Sequence, residues 1–148
     1  MYEPIRTKSV HTMAAAPEIP HRSREEELDI RLAGHLTALL TVTDELHALA
    51  SQSAAHGRGA DALAVAADEI AEQVARLNGG HYPLRAEPTG GDPSRRQALE
   101  QRARTLAGNA LVIATSREDT AAIALAVERL EAHGDGATVA GLPDLATA

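Results

Sequence analysis

The stretch SREEELDIRLAGHLTALLTVTDELHALA, residues 23–50, decides the fold class because it combines a helix start signal with a long apolar stripe. Ser23 followed by Glu26 is the pattern of a capping box, and the acidic first turn suits the positive end of a helix dipole. Small or apolar residues then recur in steps of four and three at Leu32, Leu36, Leu39, Thr43, Leu46 and Ala50. This spacing predicts one long amphipathic helix.

Three further stripes predict three further helices. They run through Leu63, Ala67, Ile70, Val74 and Leu77; through Leu99, Ala103, Leu106, Ala110 and Ile113; and through Ile123, Val127 and Leu130. The last two stripes differ in phase by roughly 60 to 120°, so one straight helix would aim them at different neighbours. A break is therefore expected at residues 115–119, where Ser116 and Asp119 form a second capping signal.

Glycine and proline mark the predicted helix ends. HGRG at 56–59 is expected to end the first helix, with Gly57 as its C-terminal cap, and NGG at 78–80 to end the second. Asp92 followed by Pro93 is a good N-cap and first-turn pair for the third helix.

Together the stripes predict an all-α fold, a four-helix bundle built from two helical hairpins. The composition agrees, because Ala (31) and Leu (17) dominate while Phe and Trp are absent. Residues 1–22 hold three prolines and no periodicity, which predicts a flexible N-terminal arm. The bundle domain is expected at 23–133, and a Gly-rich, flexible tail at 134–148.

Charge and composition disfavour several kinds of function. A formal net charge of −7 and the scarcity of aromatic residues argue against nucleic-acid binding. The absence of cysteine excludes disulfides and thiolate ligands but does not fix the compartment. There is no secretory signal pattern and no apolar run near the roughly 20 residues that span a bilayer, so a cytoplasmic protein without membrane contact is expected. Thirteen arginines against one lysine, with so much alanine, indicate a high-GC bacterial gene.

The segment TDELHALASQSAAH, residues 43–56, raises the question of a metal or acid–base site, because it holds Asp44, Glu45, His47 and His56. Relative to the apolar stripe, the two carboxylates lie about 120 to 140° away and His47 about 60° away. Di-iron bundles need Glu-x-x-His motifs that face inward from two of the helices, and the four predicted helices contain none. We therefore expect these carboxylates to face water, with no metal and no cofactor. No catalytic motif occurs either, which makes a non-enzymatic protein the favoured interpretation.

Five residues are candidates for ligand binding: His81 and Tyr82 in the long connection 79–93, and three that could line a pocket between alanine-rich helices. His35 and His47 lie at the border of the first apolar stripe, and Asn109 lies on the third predicted helix. Packing and hydrogen bonding remain the simpler roles for the two histidines.

Two other regions have both a structural and a functional interpretation. Arg95, Arg96 and Arg102 concentrate positive charge near the start of the third helix, as a solvated face or as an anion or partner patch. The long connection 79–93 contains His81 and Tyr82. It is either a crossover strap whose Tyr82 and Leu84 plug one end of the bundle, or a lid or docking loop.

Two functions from different classes fit these features. The first is a cytoplasmic adaptor or regulatory subunit that acts through protein–protein interaction and self-associates. Val42 and Leu49 extend the apolar face of the first helix sideways, where a second helix layer or another chain could cover them. The alternative is a bundle that binds a small molecule or metal ion in the pocket edged by His35 and His47.

Overall fold

The computed structural model describes residues 22–52 and 57–134, and within these ranges the chain is all-α, with no strand. Four helices follow one another: α1 (Arg24–Ser51), α2 (Gly57–Leu77), α3 (Arg96–Ser116) and α4 (Thr120–Gly134). A 3-10 turn, Pro93–Arg95, precedes α3. The predicted arm and tail lie outside the described residues, apart from Arg22 and Gly134, and so does His56.

The predicted start of α1 is confirmed. Ser23 Oγ accepts a hydrogen bond from the Glu26 N–H (3.1 Å), and Glu26 Oε1 accepts one from the Ser23 N–H (2.9 Å). This reciprocal pair satisfies two of the backbone N–H groups that a helix start leaves without partners.

The predicted end of α1 is wrong. The helix stops at Ser51, and Gly57 is the first residue of α2 instead of a C-terminal cap. The buried stripe ends at Ala50, and the following Ser51 and Gln52 are polar and exposed. Tertiary packing supplies most helix stability in proteins, so α1 ends where its buried stripe ends.

The core forms along α1, which contacts both α2 and α3. All residues of the predicted α1 stripe are buried, and the hydroxyl of buried Thr43 donates to Leu39 O (2.7 Å). The buried residues of α2 and of α3 are mostly alanine, joined on α2 by Ile70 and Val74 and on α3 by Leu99 and Leu106. α3 also packs on α4, while α2 and α4 make little contact with each other.

Val42 and Leu49 are buried within this single chain, at 4% and 6% exposure. From the sequence alone, either a second helix layer or another chain could cover these two side chains. The structure supplies cover inside the chain, so neither side chain offers appreciable area to a partner.

The break between α3 and α4 is confirmed at residues 117–119, but its cap is Asp119 and not Ser116. Ser116 is the last residue of α3, and Asp119 Oδ1 accepts a hydrogen bond from the Ala122 N–H (3.1 Å). Asp119 also pairs with Arg76 at the end of α2 (2.8 Å). Partial burial raises the pKa of Asp119, but the hydrogen bonds from Arg76 and Ala122 outweigh it and leave that pKa below its ordinary value.

The buried face of α4 differs from the predicted one. The stripe of Ile123, Val127 and Leu130 is not the centre of that face, and Val127 is exposed. The buried residues are Ala122, Leu125, Ala126, Arg129, His133 and Gly134. α3 presents mostly alanine at this contact, so small residues of α4 fit against it, and the larger Ile123 and Leu130 flank it.

Candidate functional site

The connection between α2 and the 3-10 turn, residues 79–92, lies along the helices as a strap, and Arg85 ties it to two of them. Arg85 Nη2 and Nε donate to both carboxylate oxygens of Asp44 on α1 (2.7 and 3.1 Å). Arg85 Nη1 donates to Asp68 on α2 (3.3 Å). The hydrogen bond with Asp44 raises the pKa of Arg85 still further, despite some burial. Two-point guanidinium–carboxylate contacts fix geometry as well as charge.

Glu45 of α1 holds the far end of the strap. Its Oε2 accepts the Thr89 N–H (3.0 Å), and its Oε1 accepts the Thr89 hydroxyl (2.9 Å). Arg95 Nη1 donates to the same Oε1 (3.4 Å). The Thr89 N–H is the main reason that the pKa of Glu45 lies below its ordinary value, and it prevails over the opposing effect of burial. The ionised form of Glu45 is therefore the form that binds the strap.

Gly90 allows the strap to approach α1 closely. It is buried, its φ is +65°, and a Cβ placed there would lie 3.0 Å from Gln52 Nε2. Its carbonyl accepts a hydrogen bond from Arg95 Nη1 (2.6 Å). A side chain at this position would meet both an unfavourable backbone conformation and a steric contact.

These contacts correct the expectation that Asp44 and Glu45 face water. Each side chain is only 14% exposed, because the strap covers the side of α1 that carries them. Their role in the structure is to anchor the strap.

Two residues of the strap, Tyr82 and Leu84, expose their side chains to solvent. The prediction that they plug one end of the bundle is therefore wrong. Leu84 is 99% exposed and Tyr82 is 62% exposed, and neighbouring His81 is exposed as well. The Tyr82 hydroxyl donates to Glu72 Oε2 on α2 (3.3 Å). The negative charge of Glu72 raises the pKa of Tyr82 above its ordinary value. The strap turns the guanidinium group of Arg85 toward the helices and the side chain of Leu84 toward solvent.

The predicted ligand residues do not form one pocket. His35 and His47 are half-buried on the same helix, twelve residues apart, which separates them by about 18 Å along its axis. His47 Nε2 lies 3.4 Å from Ser51 Oγ. Asn109 is exposed on α3. A small molecule could contact only one of the two histidines at a time.

The predicted arginine patch is divided among different contacts. Arg95 is engaged with Glu45 and the strap, Arg96 lies 3.9 Å from Glu100, and Arg102 is exposed. The side chain of Arg104, a residue of α3, donates to the backbone carbonyl of His133 on α4 (2.7 Å).

A cleft between the start of α3 and the end of α4 brings together polar residues that the sequence reading did not single out as a group. Its volume is about 530 Å³. It is lined by Pro93, Ser94, Arg96, Gln97, Glu100, Arg104, Ala132 and His133. Within it, His133 Nδ1 lies 2.7 Å from Glu100 Oε1.

Among residues 22–52 and 57–134, no group of three or more His, Cys, Asp or Glu side chains could hold a metal ion. In the same part of the chain, no helix is long and apolar enough to cross a membrane. Comparison with protein families, with curated proteins and with solved structures finds no match to this chain.

Proposed function

We propose that the chain is a cytoplasmic, non-enzymatic protein, a four-helix bundle of two hairpins, which binds a partner protein through its strap. The observation that carries this proposal is the contrast between two adjacent residues. Leu84 is 99% exposed, while Arg85 beside it is bonded to both α1 and α2. The strap thus presents an apolar side chain from a backbone that is already fixed.

The energetics favour recognition at this position. Burying a leucine side chain contributes about 1.5–3 kcal/mol, which corresponds to roughly 10- to 100-fold in affinity. Because Asp44 and Glu45 hold the strap before any partner binds, little ordering entropy is lost on binding.

The charge beside the strap indicates what kind of partner fits. Four carboxylates of α2 are exposed: Asp61, Asp68, Glu69 and Glu72. A partner with an apolar pocket rimmed by Arg or Lys would complement both Leu84 and this acidic face. A symmetric contact with a second copy would set the acidic face against itself. Self-association, which the sequence predicts, would therefore need a different face.

Leu84→Ser is expected to abolish capture of the partner without unfolding the protein. The matched control is Val112→Ser, since Val112 is an exposed apolar residue on a different element, α3. Circular dichroism first shows that wild type, Leu84→Ser and Val112→Ser are equally folded. The three proteins are then used as baits in lysate of the native host. The partner should be recovered with wild type and Val112→Ser only. Its affinity, measured with purified proteins, should fall by roughly 10- to 100-fold in Leu84→Ser and weaken with added salt.

The proposal is contradicted if all three baits recover the same proteins in the same amounts. It is equally contradicted if the purified partner binds wild type and Leu84→Ser with equal affinity.

A further inference from the structure

The cleft between α3 and α4 carries an excess of hydrogen-bond donors, which the proposed interaction function does not use. Arg96 and Arg104 supply two guanidinium groups, and Ser94 and Gln97 add a hydroxyl and an amide. Glu100 is the one carboxylate among the lining residues. The cleft thus has a local positive charge on a chain whose net charge is −7.

Glu100 already contacts two other residues of the cleft. One of its oxygens lies 2.7 Å from His133 Nδ1, and the other lies 3.9 Å from Arg96 Nε. Because an ionised carboxylate can only accept hydrogen bonds, His133 carries a proton on Nδ1. Glu100 therefore orients the imidazole, and its single negative charge offsets only one of the two guanidinium charges of the cleft.

His133 is nearly enclosed at the wall of the cleft, because its side chain is 3% exposed. The backbone carbonyl of His133 accepts from Arg104 Nη1 (2.7 Å), which fixes that guanidinium at the cleft. Of its five N–H groups, an arginine in this position keeps about four for other acceptors.

We propose that this cleft binds a small oxyanion, a phosphate or carboxylate group, whose oxygens accept hydrogen bonds from Arg96 and Arg104. Guanidinium groups match both kinds of oxyanion in planar, two-point geometry. A cation is disfavoured, because it would face two positive charges and a carboxylate that His133 already engages. The volume of about 530 Å³ exceeds the need of an inorganic ion and admits a metabolite that carries the oxyanion.

The test is an NMR titration of the full chain with inorganic phosphate and, separately, with acetate, against sodium chloride at equal ionic strength. Backbone amide resonances of Gln97, Arg104 and His133 should shift and saturate by about 10 mM, which suffices for a millimolar site. Arg104→Gln should weaken the binding at least about 10-fold, because it removes charge-assisted hydrogen bonds. Arg102→Gln is the matched control, since Arg102 lies on the same helix but does not line the cleft.

Each outcome decides for or against the site. Tighter binding of phosphate than of acetate would identify a phosphorylated ligand, and the reverse order a carboxylate. Shifts equal to those in chloride, or equal weakening by Arg102→Gln and Arg104→Gln, would overturn the proposal. If Arg104→Gln does not fold, Arg96→Gln serves as the second variant with the same expected loss.

Discussion

Replacement of Ile70 by alanine is expected to lower the free energy of unfolding by about 2–5 kcal/mol, the range found when a large buried side chain is cut to alanine. Ile70 is fully buried on α2, in the core cluster that α2 shares with α1. The change removes buried apolar groups and leaves a cavity that close-packed neighbours fill only in part. Urea denaturation followed by circular dichroism measures the loss.

Ile30→Ala is the control, because it makes the same change at a position that is 50% exposed. Its effect should stay within about 0.5 kcal/mol, as is usual for substitutions at the surface. Equal losses in the two variants would contradict the assignment of Ile70 to the core.

Ala107→Leu is expected to destabilise the protein by about 1–3 kcal/mol, since added methyl groups in a packed core force strain on their neighbours. Ala103, Ala107, Ala110 and Ala114 are all fully buried on α3, which packs against both α1 and α4. Close approach of these helices therefore depends on small side chains. The shift of the denaturation midpoint reports the effect.

Ala98→Leu is the matched control for this substitution, because Ala98 is exposed on the same helix. Alanine and leucine have similar helix propensities, so this change should leave stability nearly unaltered. Equal stability of Ala107→Leu and Ala98→Leu would contradict the close packing of α3 on α1 and α4 through alanine.

The sequence predicts those parts of the fold that depend on local pattern. The stripe through Leu36 and Leu46, the capping box at Ser23 and the break before Asp119 are all confirmed. The capping box depends on residues within one helical turn, and the stripe depends on the regular repeat of a single helix. The break follows from the phases of two neighbouring stripes and from the capping signal at residues 116–119. These features can be predicted from sequence because helix periodicity and capping are determined by residues close together in the chain.

The sequence fails where a distant segment decides the surroundings of a residue. Phase alone places Asp44 and Glu45 away from the core, but it does not show that the strap crosses that side of α1. The α4 face was assigned from its larger residues, whereas the alanine surface of α3 favours Ala122 and Ala126. Large apolar residues predict burial well only when the neighbouring helix has room for them.

The sequence does not predict the cleft between α3 and α4, and the reason is related. Glu100 and His133 are 33 positions apart and meet only because α3 and α4 form a hairpin. Neither residue belongs to a local motif, so their pairing follows from tertiary structure alone.

The central claim is that the carboxylate of Glu45 holds the strap in place, and an NMR pH titration of the Thr89 amide tests it most directly. The Thr89 N–H donates to Glu45 and keeps the pKa of that carboxyl below its ordinary value of about 4.3. A depressed pKa means that this contact contributes stability above about pH 4.3, and that the contribution is lost as the pH falls through the folded-state pKa. We predict that the Thr89 amide resonance titrates with a midpoint below about pH 4.3 and that Glu45→Gln removes this transition. A Thr89 amide that does not respond to pH, or that follows an unshifted carboxyl, would contradict the docked strap.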